Sequence, residues 1–246
     1  MARASKRRGG RGRARNAVIV PVAAFALVVL AVLGGWGWWH LAHWRPDRMR
    51  YRVQGIEVDA ASGVVDWPGV RTLGGSFVYL DATAGASGRD PAFLRNLDDA
   101  RAAGLTVGAV HRYDPCQPAD RQATNFVTFV PRDPAMLAPA IDMSQSGDDC
   151  PVHISDGAVE SELMTFINQI EIHSGKPVVL KLSPAFERRY GIASRFDRKL
   201  WLTRRLFEPG YAGRPWALWT ANPSAQTEVA EHALRWIAAR PRTARP

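Results

Sequence analysis

"DPAFLRNLDDARAAGLTVGAVHRY", residues 90–113, sets a helix signal directly before a strand signal. Asp90 followed by Pro91 is an N-cap with a first-turn proline, and Gly104 closes the helix. The run "LTVGAVHRY" that follows reads as a strand. The same alternation extends over the chain from residue 53. "VQGIEV", "SFVYLDA", "APAID", "KPVVLKL", "RKLWLT" and "WALWT" read as further strands, several of them apolar without interruption, as in a sheet covered on both faces. Helices are predicted at 66–74, 119–130 and 155–175. The last opens on Ser155, ends on Gly175 and lines up Val159, Leu163, Phe166, Ile167 and Ile170 in one stripe. Repetition of strand and helix predicts a parallel α/β sheet. Seven or eight strands in this length favour a closed, TIM-like (β/α) barrel over 53–223. In "AQTEVAEHALRWIAAR", Ala230, Ala233, Leu234 and Ile237 share one helical face, so 224–246 reads as a C-terminal helix packed outside the barrel, with a frayed tail.

The formal charge of +9 points to an acidic partner until its location is considered. Residues 1–52 hold 11 Lys/Arg and one acid, Asp47, which leaves 21 basic against 22 acidic residues for the remainder. The folded part is nearly neutral, so it lacks the basic stripe of a nucleic-acid binder. The excess belongs to a basic tail, 1–16, that precedes an uncharged run, 17–39, long enough to cross a bilayer as a helix. Trp36, Trp38, Trp39 and Trp44 cluster at its end like an interfacial belt, where a cleaved signal would show small residues instead. Seven basic residues before the span and four after it favour a cytoplasmic N-terminus. The expected protein is a single-pass protein of a bacterial inner membrane, with a juxtamembrane linker at 40–52 and a periplasmic barrel.

Two cysteines, Cys116 and Cys150, in an exported domain suggest one disulfide. Two free thiols are the bland alternative. A Cys2His2 zinc site with His111 and His153 is a third reading, disfavoured because the spacings are not those of a zinc finger. No cofactor and no metal is expected.

In a barrel of this kind chemistry sits at the C-terminal ends of the strands. The candidates there are Glu57 and Asp59, two apart and therefore on one face, then Asp81, His111 and Arg112, and Asp142. Several carboxylates converging on one mouth is the arrangement that glycoside hydrolysis uses, with one acid to protonate the leaving oxygen and an ionised partner. Strand-end acids also serve as caps and loop anchors, which is the plainer reading. Tyr79, Tyr113, Trp201, Trp216 and Trp219 would stack sugars if exposed, although tryptophans on barrel strands are more often core.

The order of segments resembles glycoside hydrolase family 25, the barrel-type lysozymes (muramidases) that cleave peptidoglycan. The likeness runs through "GIEVDAASGVVDWPGV", "FVYLDATAG", "DPAFLRNLDDARAAGLTVGAVHRY", "QATNF", "APAIDMS", "GKPVVLKLSPAF" and "RPWALWT", about residues 53–220. The resemblance implies a peptidoglycan ligand and a catalytic role for Asp142, the first acid of the family's D-x-E motif. Ser144 stands where the proton-donor glutamate belongs, Glu57 replaces an aspartate, Asp81 replaces a lysine, Ala84 a glutamate and Thr220 a glutamine; Asp59 takes a position usually held by serine. His111 agrees with the pattern. With Tyr79, Trp219 and Asp81 it makes up the expected substrate-binding set. A serine hydroxyl is far too weak an acid to replace the glutamate, so cleavage is expected to be weak or lost unless Glu57 or Asp59 has become the acid. The alternatives are a catalytically inactive pseudoenzyme that binds envelope glycan or protein, and a plain scaffold.

Overall fold

The structure, a computed structural model, describes residues 11–241, with side chains from residue 24 onward except that of residue 149. Most of the basic tail and the end of the C-terminal tail lie outside the described residues. Two units are present. The first is the helix α1, Arg11–His43, in which Ala24–His43 is long and apolar enough to cross a membrane by length and composition. The second begins at Trp44.

Eight strands close the second unit into a barrel. β1 (Gln54–Val58), β2 (Gly75–Ala84), β4 (Thr106–Arg112), β5 (Ala140–Met143), β6 (Val179–Leu182), β7 (Lys199–Thr203) and β8 (Leu218–Ala225) run parallel. A two-residue strand, β3 (Gly88–Arg89), folds back on the end of β2. The last strand, β9 (Leu234–Ala239), is antiparallel to both β8 and β1 and seals the barrel. The helices between strands are α2 (Trp67–Thr72), α3 (Phe93–Ala102), α4 (Ala119–Phe129), α5 (Asp156–Ser174), α6 (Pro184–Tyr190) and α7 (Ile192–Arg195).

Capping follows the sequence with one change. The Ser155 hydroxyl accepts from the Ala158 amide at 3.3 Å, and Gly175 ends α5 with φ 68°, a conformation that glycine adopts without steric cost. Asp90 does not cap α3 itself. It accepts from the Ala92 amide at 2.7 Å and from Ala60 at 2.7 Å, and so ties the turn before α3 to the loop after β1.

The predicted C-terminal helix is not formed. Leu234, Trp236 and Ala238 alternate with Arg235 and Ile237 along β9, a period of two that fills the gap between two open sheet edges. The ladder bonds gained on both sides outweigh the helical propensity of an alanine-rich segment. Helices are also absent between β7, β8 and β9. Their outer face is covered by the segment expected to be a linker. Trp44 packs 6.2 Å from Trp219, Tyr51 packs 5.5 Å from Trp219, and the Arg45 guanidinium lies 5.0 Å over Trp236.

Inside the barrel the lower layers are apolar. Phe77, Tyr79, Val110, Ala140, Val179, Trp201 and Ile237 form one buried cluster. Gly55 and Gly108 make the room for it: a Cβ at Gly108 would sit 2.4 Å from the Tyr79 ring, and one at Gly55 2.7 Å from the Phe77 ring. The side chains of the upper layer are charged.

Candidate functional site

The upper layer is built from inward-facing residues at the mouth end of six strands. Register sets the pairs: Asp142 on β5 lies beside Lys181 on β6, and Glu57 on β1 lies beside Arg235 on β9. The Lys181 ammonium donates to Glu57 at 2.5 Å and to Asp142 at 2.8 Å. The two accepting oxygens therefore lie no more than about 5.3 Å apart, with a cation lodged between them. The Arg235 fork reaches three acids: Glu57 at 3.0 Å, Asp59 at 2.9 Å and Asp81 at 3.3 Å. Arg112 then pairs with the other oxygen of Asp81 at 3.0 Å. Glu57 is wholly buried, and the side chains of Asp142 and Asp81 are each 16% exposed.

Electrostatics divides these acids. Burial works against the charge of Asp142, but Lys181 and hydrogen bonds from Lys181 and Ser144 prevail and hold its carboxyl below the usual range. Asp59 is likewise held low, burial being outweighed by Arg235 and Ser62. Asp81 goes the other way, pushed up to about 7 by burial and by the Glu57 charge against the pull of Arg235, Lys181 and Arg112. Burial disfavours the Lys181 ammonium, yet Glu57, Asp142 and Asp81 raise its pKa and keep it charged. The Glu57 Oε2, Asp81 Oδ1 and Arg235 Nε and Nη2 atoms are buried without an aligned hydrogen bond. Charge attraction holds this corner of the network, with imperfect geometry.

Beside it opens a cleft of about 330 Å³ lined by Asp59, Asp81, Ala84, Arg89, Asp90 and Arg112. The absence of a longer side chain at Ala84 helps to leave it open. Arg112, with its side chain 52% exposed, forms the border between the cleft and the charged layer.

The other expected site residues lie elsewhere. His111 points outward from β4 into the layer under α4 and α5, where its ring packs 4.5 Å from Phe166. Its Nδ1 lies 2.7 Å from the Thr83 hydroxyl, and its Nε2 donates to Gln122 Oε1 at 3.2 Å, an oxygen that also accepts from the Asp114 amide. Burial pushes the imidazole down to about 4, so it is neutral and positions a helix. Its neighbour Arg112 takes the inward direction, as alternation along a strand requires. Tyr79 lies below the charged layer, donates to the Ala138 carbonyl at 3.0 Å and packs on Trp201. Trp219 is buried outside the barrel against Trp216 and Tyr51. Neither lines the cleft at the mouth, and Trp201 and Tyr113 are fully enclosed. Thr220, also buried, accepts from the Trp201 indole at 2.7 Å.

Cys116 and Cys150 form a disulfide that ties the loop after β4 to the loop after β5, the one that carries Ser144. Their sulfurs are bonded to each other, which leaves no thiolate pair for zinc. Sequence reasoning missed Lys181 and Arg235. Lys181 is a lone charge in "VVLKL", and a cation in an otherwise apolar strand is a signal that a buried acid faces it. Arg235 was hidden by the helical reading of its segment.

A family model described as glycosyl hydrolases family 25 matches residues 56–238. The chain is 23% identical over 185 residues to the uncharacterized Escherichia coli K12 protein YegX, covering 72% of this chain and 66% of that protein's length. A stretch of 59 residues is 41% identical to lysozyme M1 of Streptomyces globisporus, 24% of this chain and 20% of that one. Among solved structures, a family 25 glycosyl hydrolase from Bacillus anthracis superposes with a TM-score of 0.71 at 24% identity, over 80% of this chain and 92% of its own. A lysozyme from Streptomyces coelicolor follows at a TM-score of 0.67 and 21% identity, over 77% and 92%.

Proposed function

Since the chain belongs to glycosyl hydrolase family 25, we propose that it is a membrane-anchored, lysozyme-like module that holds peptidoglycan-type glycan in the cleft beside its barrel mouth and cleaves it feebly or not at all. The observation that carries this reading is the ammonium of Lys181 lodged between Glu57 and Asp142. A glycosidase needs one neutral carboxylic acid and one ionised carboxylate. Here a buried cation lies between the two and holds the Asp142 carboxyl below its usual range, and the D-x-E position that would supply a proton is Ser144. Lack of a positioned acid removes ~10²–10⁴-fold in rate. The helix ending at His43 supplies the anchor, and the basic excess before it favours a barrel on the outer side of a bacterial inner membrane, where a disulfide persists.

One feature favours residual activity. The Asp81 carboxyl, raised to about 7 and bordering the cleft, is part-protonated at neutral pH, as a general acid must be. In this second reading Asp81, not Glu57 or Asp59, is the relocated acid.

The test uses the full chain in detergent with purified bacterial peptidoglycan, scored for co-sedimentation and for new reducing ends. The expected result is co-sedimentation that weakens with Arg112→Ala, and no cleavage. Reducing ends that appear with the native sequence and vanish with Asp81→Asn would establish the second reading. Failure to co-sediment would reject glycan binding.

A further inference from the structure

The segment that covers the outer wall of β8 and β9 also carries Arg45, Met49 and Arg50 to the side of the loop after β7. There Arg50 and Tyr51 both bond to Glu208, and Arg204 donates to the Glu208 carbonyl at 3.3 Å. An open cleft of about 670 Å³ lies between segment and loop, bordered by Trp44, Arg45, Arg50, Tyr51, Phe207 and Trp219. Two large apolar side chains stand out from this rim, Met49 at 82% exposed and Phe207 at 63%. The turn that presents Phe207 is strained: Leu206 has φ 69°, left-handed backbone that a residue with a Cβ adopts at a cost, and its amide is fixed to the Ala221 carbonyl at 3.0 Å. Arg204 lies 5.6 Å over the Phe207 ring.

Charge on this rim is unbalanced. Arg45, Arg50, Arg204 and Arg205 face two acids, Asp47 and Glu208. Glu208 is neutralised by Arg50 with a further bond from Tyr51, and Asp47 accepts from the Met49 amide at 2.9 Å. Exposed aromatic and thioether side chains within an arginine border fit neither a protein core nor free water. They fit the headgroup layer of an anionic bilayer, where arginine meets phosphate and the apolar tip reaches the acyl boundary. Met49 follows His43, the last residue of the apolar helix, closely enough that the chain between them spans at most ~20 Å.

We propose that this rim docks the barrel onto an anionic phospholipid surface, with Phe207 and Met49 inserted among the headgroups and the arginines on the phosphates. The proposal rests on the anchored reading above. The loop after β7 lies at the mouth end of the barrel, so docking sets the mouth at the level of membrane-proximal glycan and away from glycan deep in the wall.

The experiment uses the full chain with Phe207→Cys, and a second version with Ile172→Cys on α5, which is 76% exposed. The native cysteines are tied as a disulfide, so each variant offers one thiol for a fluorophore. Both are reconstituted into vesicles of mixed phosphatidylglycerol and phosphatidylcholine, or of phosphatidylcholine alone, containing nitroxide-labelled lipid, and then floated. Docking predicts several-fold stronger quenching at 207 than at 172 in the anionic vesicles. The difference should shrink in phosphatidylcholine, in high salt and in an Arg204→Glu, Arg205→Glu variant. Flotation with equal, weak quenching at both positions would overturn docking and leave the anchor standing. A label at 207 shielded from aqueous iodide yet unquenched by lipid would mean that protein covers the rim, and would also overturn it. Failure to float would overturn the anchor and the docking together.

Discussion

Lys181→Met removes the ammonium that touches both Glu57 and Asp142 and keeps most of the side chain's volume over Trp201. Two carboxylates no more than about 5.3 Å apart are then left facing each other, and at an effective dielectric constant near 20 their repulsion is ~3 kcal/mol. Breaking a buried pair by deleting one partner costs about 3–5 kcal/mol, and here one cation serves two acids, so the upper part of that range is expected at neutral pH. The repulsion also sets a sign for pH. It raises the apparent pKa of the coupled pair above its unfolded value. A carboxyl with a raised folded pKa carries its full penalty above that pKa and sheds it as pH falls toward the unfolded value. Urea unfolding of native and variant chains, followed by tryptophan fluorescence from pH 8 to pH 4, therefore gives a gap that is widest at high pH and narrows on acidification. A loss below ~1 kcal/mol at neutral pH, or a gap that stays constant across the range, would refute the view that Lys181 neutralises the mouth.

Two further tests concern single groups. The Asp81 carboxyl is raised to about 7, so Asp81→Asn should stabilise the protein by about 2–4 kcal/mol above pH 7, a gain that disappears as pH falls toward 4. Calorimetric unfolding that shows the variant less stable at pH 8 would contradict this. His111, pushed down to about 4, binds its proton more readily unfolded than folded, so its contribution falls by about 3 kcal/mol between pH 6.5 and pH 4. In His111→Asn the fall in stability over that window should be shallower than in the native chain. Equal slopes would mean that the imidazole is not held neutral.

Much of the architecture is legible because it depends on local signals. Ser155 and Gly175 bracket α5, and its apolar stripe is the face that the structure buries. The continuous apolar strands announce a sheet covered on both faces, and each of the seven parallel strands overlaps a predicted run, with β2, β5 and β8 extending past theirs. The acids at strand ends are legible for the same reason, since a strand's direction and its period of two place Glu57, Asp81 and Asp142 on the inner wall near one end. The closing strand is not legible, because "ALRWIAA" satisfies a helical face as well as a strand, and only two waiting sheet edges decide between them.

By itself the sequence determined the barrel and the positions of its acids, both consequences of backbone periodicity, which neighbouring residues specify. It also determined that a serine stands at position 144. The tertiary structure alone decided what those acids do. It brought Lys181, 124 residues distant in sequence, and Arg235, 178 residues distant, into contact with Glu57, and it turned His111 away from the mouth while leaving Arg112 in it. A carboxyl's protonation depends on charges within a few ångströms in space, and in a closed barrel those charges come from strands far apart in the chain.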